Sequence, residues 1–334
     1  MAEKITINEI AEICGVSKAT VSYVLNGKST PMKISNATCR QIIDTCTRLG
    51  YKPDKTAQAL SALRKIPLQI LLLTPWLYAQ YSDFMAQVNT AFQHISMEEE
   101  IRLSYGYFER NGLREHLSPE KYQKADCVVI AGTSLEDDLF LQAHAEDYPN
   151  VVVLNRHIPG ICSVYGNDYD AFRRLADSVV KARHYDSYVL LCDSADSYCR
   201  TQRMSALREA LKNQAFSSVP LKELTHRESA MEIYHSCRKG ATCFVFLDYP
   251  SASLFMVHLL RSGIRIPEEC GIFCFDIHTQ LQTYLPLQLT TVNPKLEKMV
   301  ETAYQFAKAM KEGQHPAGQQ IQAELCPGET AITA

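Results

Sequence analysis

Residues 6–27, TINEIAEICGVSKATVSYVLNG, decide how the N-terminal part of the chain is read. Thr6 followed by Glu9 has the spacing of a capping box, in which a hydroxyl and a carboxylate each satisfy a backbone N–H left open at a helix start. Ile7, Ile10, Ala11 and Cys14 then recur at i, i+3, i+4 and i+7, which is one face of a helix. Gly15 ends that helix, and Val16 packs inward from the turn. Ser17 is a natural N-cap for a second helix running to Asn26, with Thr20 at its third position. Val21, Val24 and Leu25 form its buried stripe, and Asn26-Gly27 stops it. Two short amphipathic helices across a glycine turn make a helix-turn-helix.

The outward face of the second helix keeps Lys18, Ala19, Ser22 and Tyr23. In a major groove Ala19 can meet a thymine methyl, Ser22 a base edge or phosphate, and Lys18 a guanine or phosphate. A merely solvated face is the alternative, and the charge distribution weighs against it. Residues 1–65 hold ten Lys/Arg and five Asp/Glu, whereas the remainder holds 24 and 32. A basic head on an acidic body is the footprint of a nucleic-acid-binding module. A third helix follows, capped by Ser35, with Ala37, Ile42, Ile43, Cys46 and Leu49 as its apolar positions and Gly50 as its terminator. Tyr51-Lys52-Pro53 breaks the pattern. Asp54 then caps KTAQALSAL, with Ala57, Leu60 and Leu63 along one side, a piece too short to be a stable helix alone.

From Pro67 onward, apolar runs alternate with helical patterns. The runs are 68–74, 127–132, 150–155, 188–193, 243–248 and 271–276; helix-like segments include 82–96, 169–182, 203–213 and 251–262. Unbroken apolar runs separated by helix-length segments indicate parallel sheets covered on both faces. The expected fold is therefore a small all-α helix-turn-helix head plus an α/β body of two similar parallel-sheet lobes. With 46% apolar and 21% charged residues, the chain has the balance of a soluble globular protein. Its twelve cysteines show no C-x-x-C pair and no zinc-type cluster, so they read as reduced thiols of a cytoplasmic protein, with no metal site. Neither a signal peptide nor a membrane span is expected. No phosphate-cradling, zinc-protease or nucleophile-elbow motif occurs, so the competing class, an α/β enzyme carrying a DNA-binding head, has no catalytic residue or cofactor site to rest on.

The stretch ITINEIAEICGVSKATVSYVLNGKS, with the later IS and LGYKPDKTAQAL, resembles the head of the LacI/GalR family of transcriptional regulators. The block Gly15-Val16-Ser17, Thr20-Val21-Ser22, Val24-Leu25-Asn26 carries the resemblance. So does Leu49-Gly50-Tyr51, Pro53-Asp54 with Ala57 and Leu60. The resemblance implies a repressor that binds pseudo-palindromic operator DNA as a homodimer. Thr6, Ser17, Lys18, Ala19, Thr20, Ser22, Tyr23 and Asn26 would serve the major-groove helix and its phosphates. Lys55, Ala57 and Leu60 would belong to a hinge helix in the minor groove, with Leu60 the wedge that kinks the duplex. Tyr23 departs from the arginine common there and cannot make arginine's bidentate bond to guanine.

The body resembles the family core, which is built like periplasmic sugar-binding proteins, through 151–159, 203–211, 263–276 and 286–292. That implies domains at 1–52 (head), 53–66 (hinge) and 67–334 (core). The N-lobe would comprise about 67–160 and 293–322, and the C-lobe about 161–292 and 323–334. It also implies a small, carbohydrate-like effector held by Trp76, Tyr81, Ser82, Thr133, Arg156, Arg203, Asp248 and Asp276. Arg203 and Asp276 suit a polar ligand, since a carboxylate accepts hydroxyl bonds and a guanidinium donates to oxygens. Departures stand at Leu247 (usually Asn), Asn167-Asp168 (usually Asp-Asn) and Arg183 (usually Gly). They keep open a degenerate cleft, controlled by a protein partner or not controlled by ligand at all.

Overall fold

In the computed structural model the chain divides into two units, residues 1–66 and 67–334. The structure describes residues 6–25, 34–49, 51, 67–76, 82–117, 125–192, 198–220, 227–275 and 283–334. The expected hinge, with Lys55, Ala57 and Leu60, lies outside the described residues, as do Asn26, Tyr81 and Asp276.

The first unit contains α1 (Ile7–Cys14), α2 (Lys18–Leu25) and α3 (Asn36–Arg48). Its helix starts are local products of sequence. Thr6 caps α1 as a full capping box: its hydroxyl accepts from Glu9 N, while Glu9 accepts from Thr6 N at 2.6 Å. Those bonds from Thr6, backbone first, hold the Glu9 carboxyl below its ordinary range. Gly15 sits at φ 64°, the left-handed region that favours glycine, and its N–H closes onto Ala11 and Glu12 carbonyls. Ser17 accepts from Thr20 N at 3.1 Å and Ser35 from Thr38 N at 3.1 Å. Ile10, Ala11, Cys14, Val21, Val24, Ile42 and Cys46 form one small core. Two expected apolar positions of α3 are exposed. Ile43 is 52% exposed, because α3 turns its Ile42 and Cys46 face inward and Ile43 lies one step further round, and Ala37 in the first turn is exposed as well. Leu25 is half-buried and packs against the edge of that core.

The second unit has two six-stranded sheets. The first half runs β1 (Leu68–Thr74), α4 (Ser82–Glu98), β2 (Ile101–Tyr107), α5 (Leu113–His116), β3 (Cys127–Ala131), α6 (Leu135–Ala143), β4 (Val151–Leu154) and β5 (Cys162–Gly166). The second runs α7 (Asp168–Ala182), β6 (Ser187–Cys192), α8 (Tyr198–Ala210), β7 (Phe216–Pro220), α9 (Arg227–Cys237), β8 (Thr242–Phe246), α10 (Tyr249–Arg261), β9 (Cys270–Phe275) and β10 (Thr290–Asn293). Then α11 (Leu296–Lys311) and β11 (Gln319–Ile321) return to the first sheet, and β12 (Glu324–Cys326) joins the second. Strand orders are β11-β5-β4-β3-β1-β2 and β12-β10-β9-β8-β6-β7. All pairings are parallel except β12 against β10.

The strands β3, β4, β8 and β9 are buried along their whole length, as their unbroken apolar runs require. In the first sheet α4 and α11 cover one face, and α6 packs on the other. In the second, α7 and α8 cover one face and α9 and α10 the other. Because β5 pairs with β4, the first lobe extends through Gly166 rather than ending at 160. The chain crosses between lobes at 166–168, 293–296 and 321–324. Asn167 stitches two of these crossings: its amide donates to Gln322 Oε1 at 2.8 Å, and its carbonyl accepts from Ala323 N at 2.7 Å. Among the described residues no helix is long and apolar enough to cross a membrane, and no cluster of metal-ligating side chains occurs.

Candidate functional site

Two candidate surfaces arise, one in each unit. In the head, α2 buries Val21 and Val24, so the side opposite them faces out. Ser17, Lys18 and Ala19 are exposed, and Ser22 and Tyr23, one turn on, are half-buried. Thr20 is half-buried and tied to Ser17, hydroxyl to hydroxyl at 2.9 Å. Thr6 is exposed but committed to its capping box. The groups at 18, 19, 22 and 23 therefore share one face, with a cation at the start of the helix and an aromatic hydroxyl near its end.

In the body, the carboxyl ends of β3, β4 and β5 meet the start of α8 and the end of β9. Thr133 and Arg156 come together here on Asp138 of α6. Thr133 donates its hydroxyl to Asp138 Oδ1 at 2.6 Å, and Arg156 Nη1 donates to Oδ2. Burial raises the Asp138 pKa, while Arg156 and Thr133 oppose that rise. Neighbouring Ser134 caps α6, and the buried Asp137 carboxylate accepts from Ser134 N and from Leu113 N. Asn155, just before Arg156, holds a left-handed φ of 59°.

Arg203 of α8 is 8% exposed and held on three sides. Its Nε donates to Asp168 Oδ2 at 3.0 Å and its Nη1 to the Leu247 carbonyl at 2.9 Å. The guanidinium also lies 3.6 Å from the centre of the Phe275 ring. Among the described residues, the carboxylate on Arg203 is Asp168, which the sequence marks only as part of a swapped pair. Asp276, expected with Arg203 to contact the effector, lies outside the described residues. Leu247 puts its side chain into the core and offers only its carbonyl. Asp248 caps α10, accepting from Ser251 N at 2.9 Å. The departure at Arg183 has a structural use, since its guanidinium donates to the Pro267 and Glu268 carbonyls.

Two further groups complete the junction. The Cys199 thiol, at the start of α8, donates to the Asn155 carbonyl at 3.0 Å and so joins the lobes directly. Burial, aided by Asp168, pushes its pKa up to about 12, so it stays a neutral donor. Trp76, after β1, meets Phe84 edge-on at 5.3 Å and lies flat against Gly132. The side chain of Ser82 is outside the described residues. Gly132 has φ 86°, and a Cβ there would stand 2.8 Å from the indole. Gly132→Ala is expected to cost about 1–3 kcal/mol in strain and to move the Trp76 emission maximum; urea denaturation followed by fluorescence checks both.

Comparison with known proteins agrees with both units. Residues 6–54 match the model described as bacterial regulatory proteins, lacI family, and residues 179–331 match a periplasmic binding protein-like domain. The HTH-type transcriptional regulator GalS of Salmonella typhimurium is 25% identical, over 91% of this chain and 89% of its own. Among solved structures, the lac repressor dimer bound to operator and an anti-inducer superposes with TM-score 0.64 at 19% identity, covering 99% of this chain and all of that one. A complex of the transcriptional regulator CelR with cellobiose gives 0.61 at 18% identity, covering 98% and 99%.

Proposed function

This chain belongs to the LacI family of bacterial transcriptional regulators, and we propose that it acts in the cytoplasm as a dimeric repressor whose operator affinity is set by a small sugar-like ligand at the junction of the two body lobes. The observation that carries the DNA-binding part is the outward face of α2, where Lys18 and Ala19 are exposed beside Ser22 and Tyr23. A dimer presents two such helices, and a pseudo-palindromic site answers them. Leu60, with Lys55 and Ala57, is assigned to minor-groove contact from the sequence resemblance. The polar junction of Arg156, Asp138, Asp168 and Arg203 supports ligand control, with Trp76 as an aromatic platform nearby. A ligand acts only through its unequal affinity for the two states of the core. The family consists of regulators rather than enzymes, and we extend that to this chain.

The test is selection of binding sites from random duplex DNA by the full-length protein. A pseudo-palindrome is expected, with affinity falling steeply as salt rises. Tyr23→Arg is expected to shift preference towards guanine at one position per half-site, by roughly 1–3 kcal/mol. Failure to enrich any two-fold site sinks the reading. A second reading, a core without ligand control, is favoured by Leu247, whose side chain offers no polar atom, and by the occupied arginines. It predicts that no small molecule alters operator affinity.

A further inference from the structure

We propose that the ligand of this core donates hydroxyl hydrogen bonds and carries no negative charge, so that phosphorylated and uronic-acid sugars are rejected; this rests on the reading of the lobe junction as an effector site. A buried anion must be paired with positive charge. Both buried arginines at the junction already have theirs paired. Arg156 is neutralised by Asp138, and their side chains are 7% and 13% exposed. Arg203 is neutralised by Asp168, and it also donates to the Leu247 carbonyl and lies against the Phe275 ring. Arg200, half-buried on the same helix, is engaged as well. The Thr133 hydroxyl donates to Asp138 and the Cys199 thiol to Asn155, so these donors are also spent.

What the described residues of the junction leave unpaired is the opposite chemistry. Asp168 Oδ1 and Asn155 Oδ1 are both buried and have no hydrogen-bond partner. Both are acceptors. A hydroxyl satisfies an acceptor, whereas a phosphate or carboxylate oxygen brings only another acceptor beside an existing carboxylate. To seat an anion, the chain would have to pull Asp138 or Asp168 off its arginine and leave a buried carboxylate uncompensated, the costly outcome for a buried pair.

The test uses full-length protein and matched ligand families: glucose with glucose 6-phosphate and glucuronate, galactose with its 6-phosphate and galacturonate, ribose with ribose 5-phosphate. Binding is read by Trp76 fluorescence titration and thermal shift, and control by release of selected operator DNA. The expected result is that whichever neutral sugar binds does so at least about 100-fold more tightly than its acidic partners. An acidic member that binds as well as its neutral partner, or better, overturns the proposal and leaves ligand control standing. If no member of any family binds, the effector reading itself falls and the proposal with it. Asp168→Asn provides a second arm. It removes the charge that neutralises Arg203 while keeping a hydrogen-bond acceptor, so the preference for neutral over acidic sugars should shrink at least about tenfold. A folded Asp168→Asn protein with an unchanged preference overturns the charge argument. Should that variant fail to fold, the wild-type comparison decides by itself.

Discussion

Replacing Asp168 with alanine is expected to lower the stability of the body by about 3–5 kcal/mol, close to the largest loss a single side chain produces. The reason lies in what remains. Arg203 would keep its bond to the Leu247 carbonyl and its place on the Phe275 ring, but it would lose the carboxylate on its Nε in a site where the guanidinium is almost fully enclosed. A buried cation without its carboxylate is far more costly than a missing pair. Arg203→Met combined with Asp168→Ala should therefore recover part of the loss. Denaturant unfolding of the single and double variants measures this as a coupling energy. A single-variant loss below about 1 kcal/mol would mean that the pair is effectively solvated.

The second large effect is expected in the head. Ile10 is fully buried at the centre of a core made by three helices, the longest of thirteen residues. None of these helices is stable alone, so the module depends on that shared core. Ile10→Ala should cost about 2–5 kcal/mol, comparable to the whole stability of so small a core. Operator binding should then fall by at least about 100-fold, because α2 keeps its recognition face only while the head is folded. The body, a separate unit, should unfold at its usual denaturant concentration. Operator binding that survives Ile10→Ala at full strength would contradict the assignment of DNA contact to this module.

The starts of α1, α2 and α3 were legible because each is written within four residues: Thr6 to Glu9, Ser17 to Thr20, Ser35 to Thr38. The central strands were legible because burial on both faces demands unbroken apolar runs, as in β3, β8 and β9. The edge strands β2 and β7 were not. One side of an edge strand meets solvent, and IRLSYGY and FSSVP carry too few apolar residues to stand out. The sequence also sets the lobe boundary early, because β5 (CSVYG), though paired on both sides, has no apolar run long enough to announce that it pairs with β4. Thr133, Arg156 and Arg203 were singled out as effector residues and do come to one junction. Asp138, Asp168, Asn155, Cys199 and Phe275, which occupy or complete that junction, were not singled out.

The sequence by itself determined the helix-turn-helix, the two-lobed α/β body and the outward residues of α2. Each of these follows from periodicity and capping, which act over a few neighbouring residues. Only the tertiary structure decided which carboxylate neutralises which arginine. Arg203 meets Asp168 across 35 positions and Arg156 meets Asp138 across 18. Such pairs depend on distance and burial after the strands have been ordered in space, and no spacing along the chain encodes them. The charge left for a ligand is what remains after that pairing, and so it too belongs to the fold.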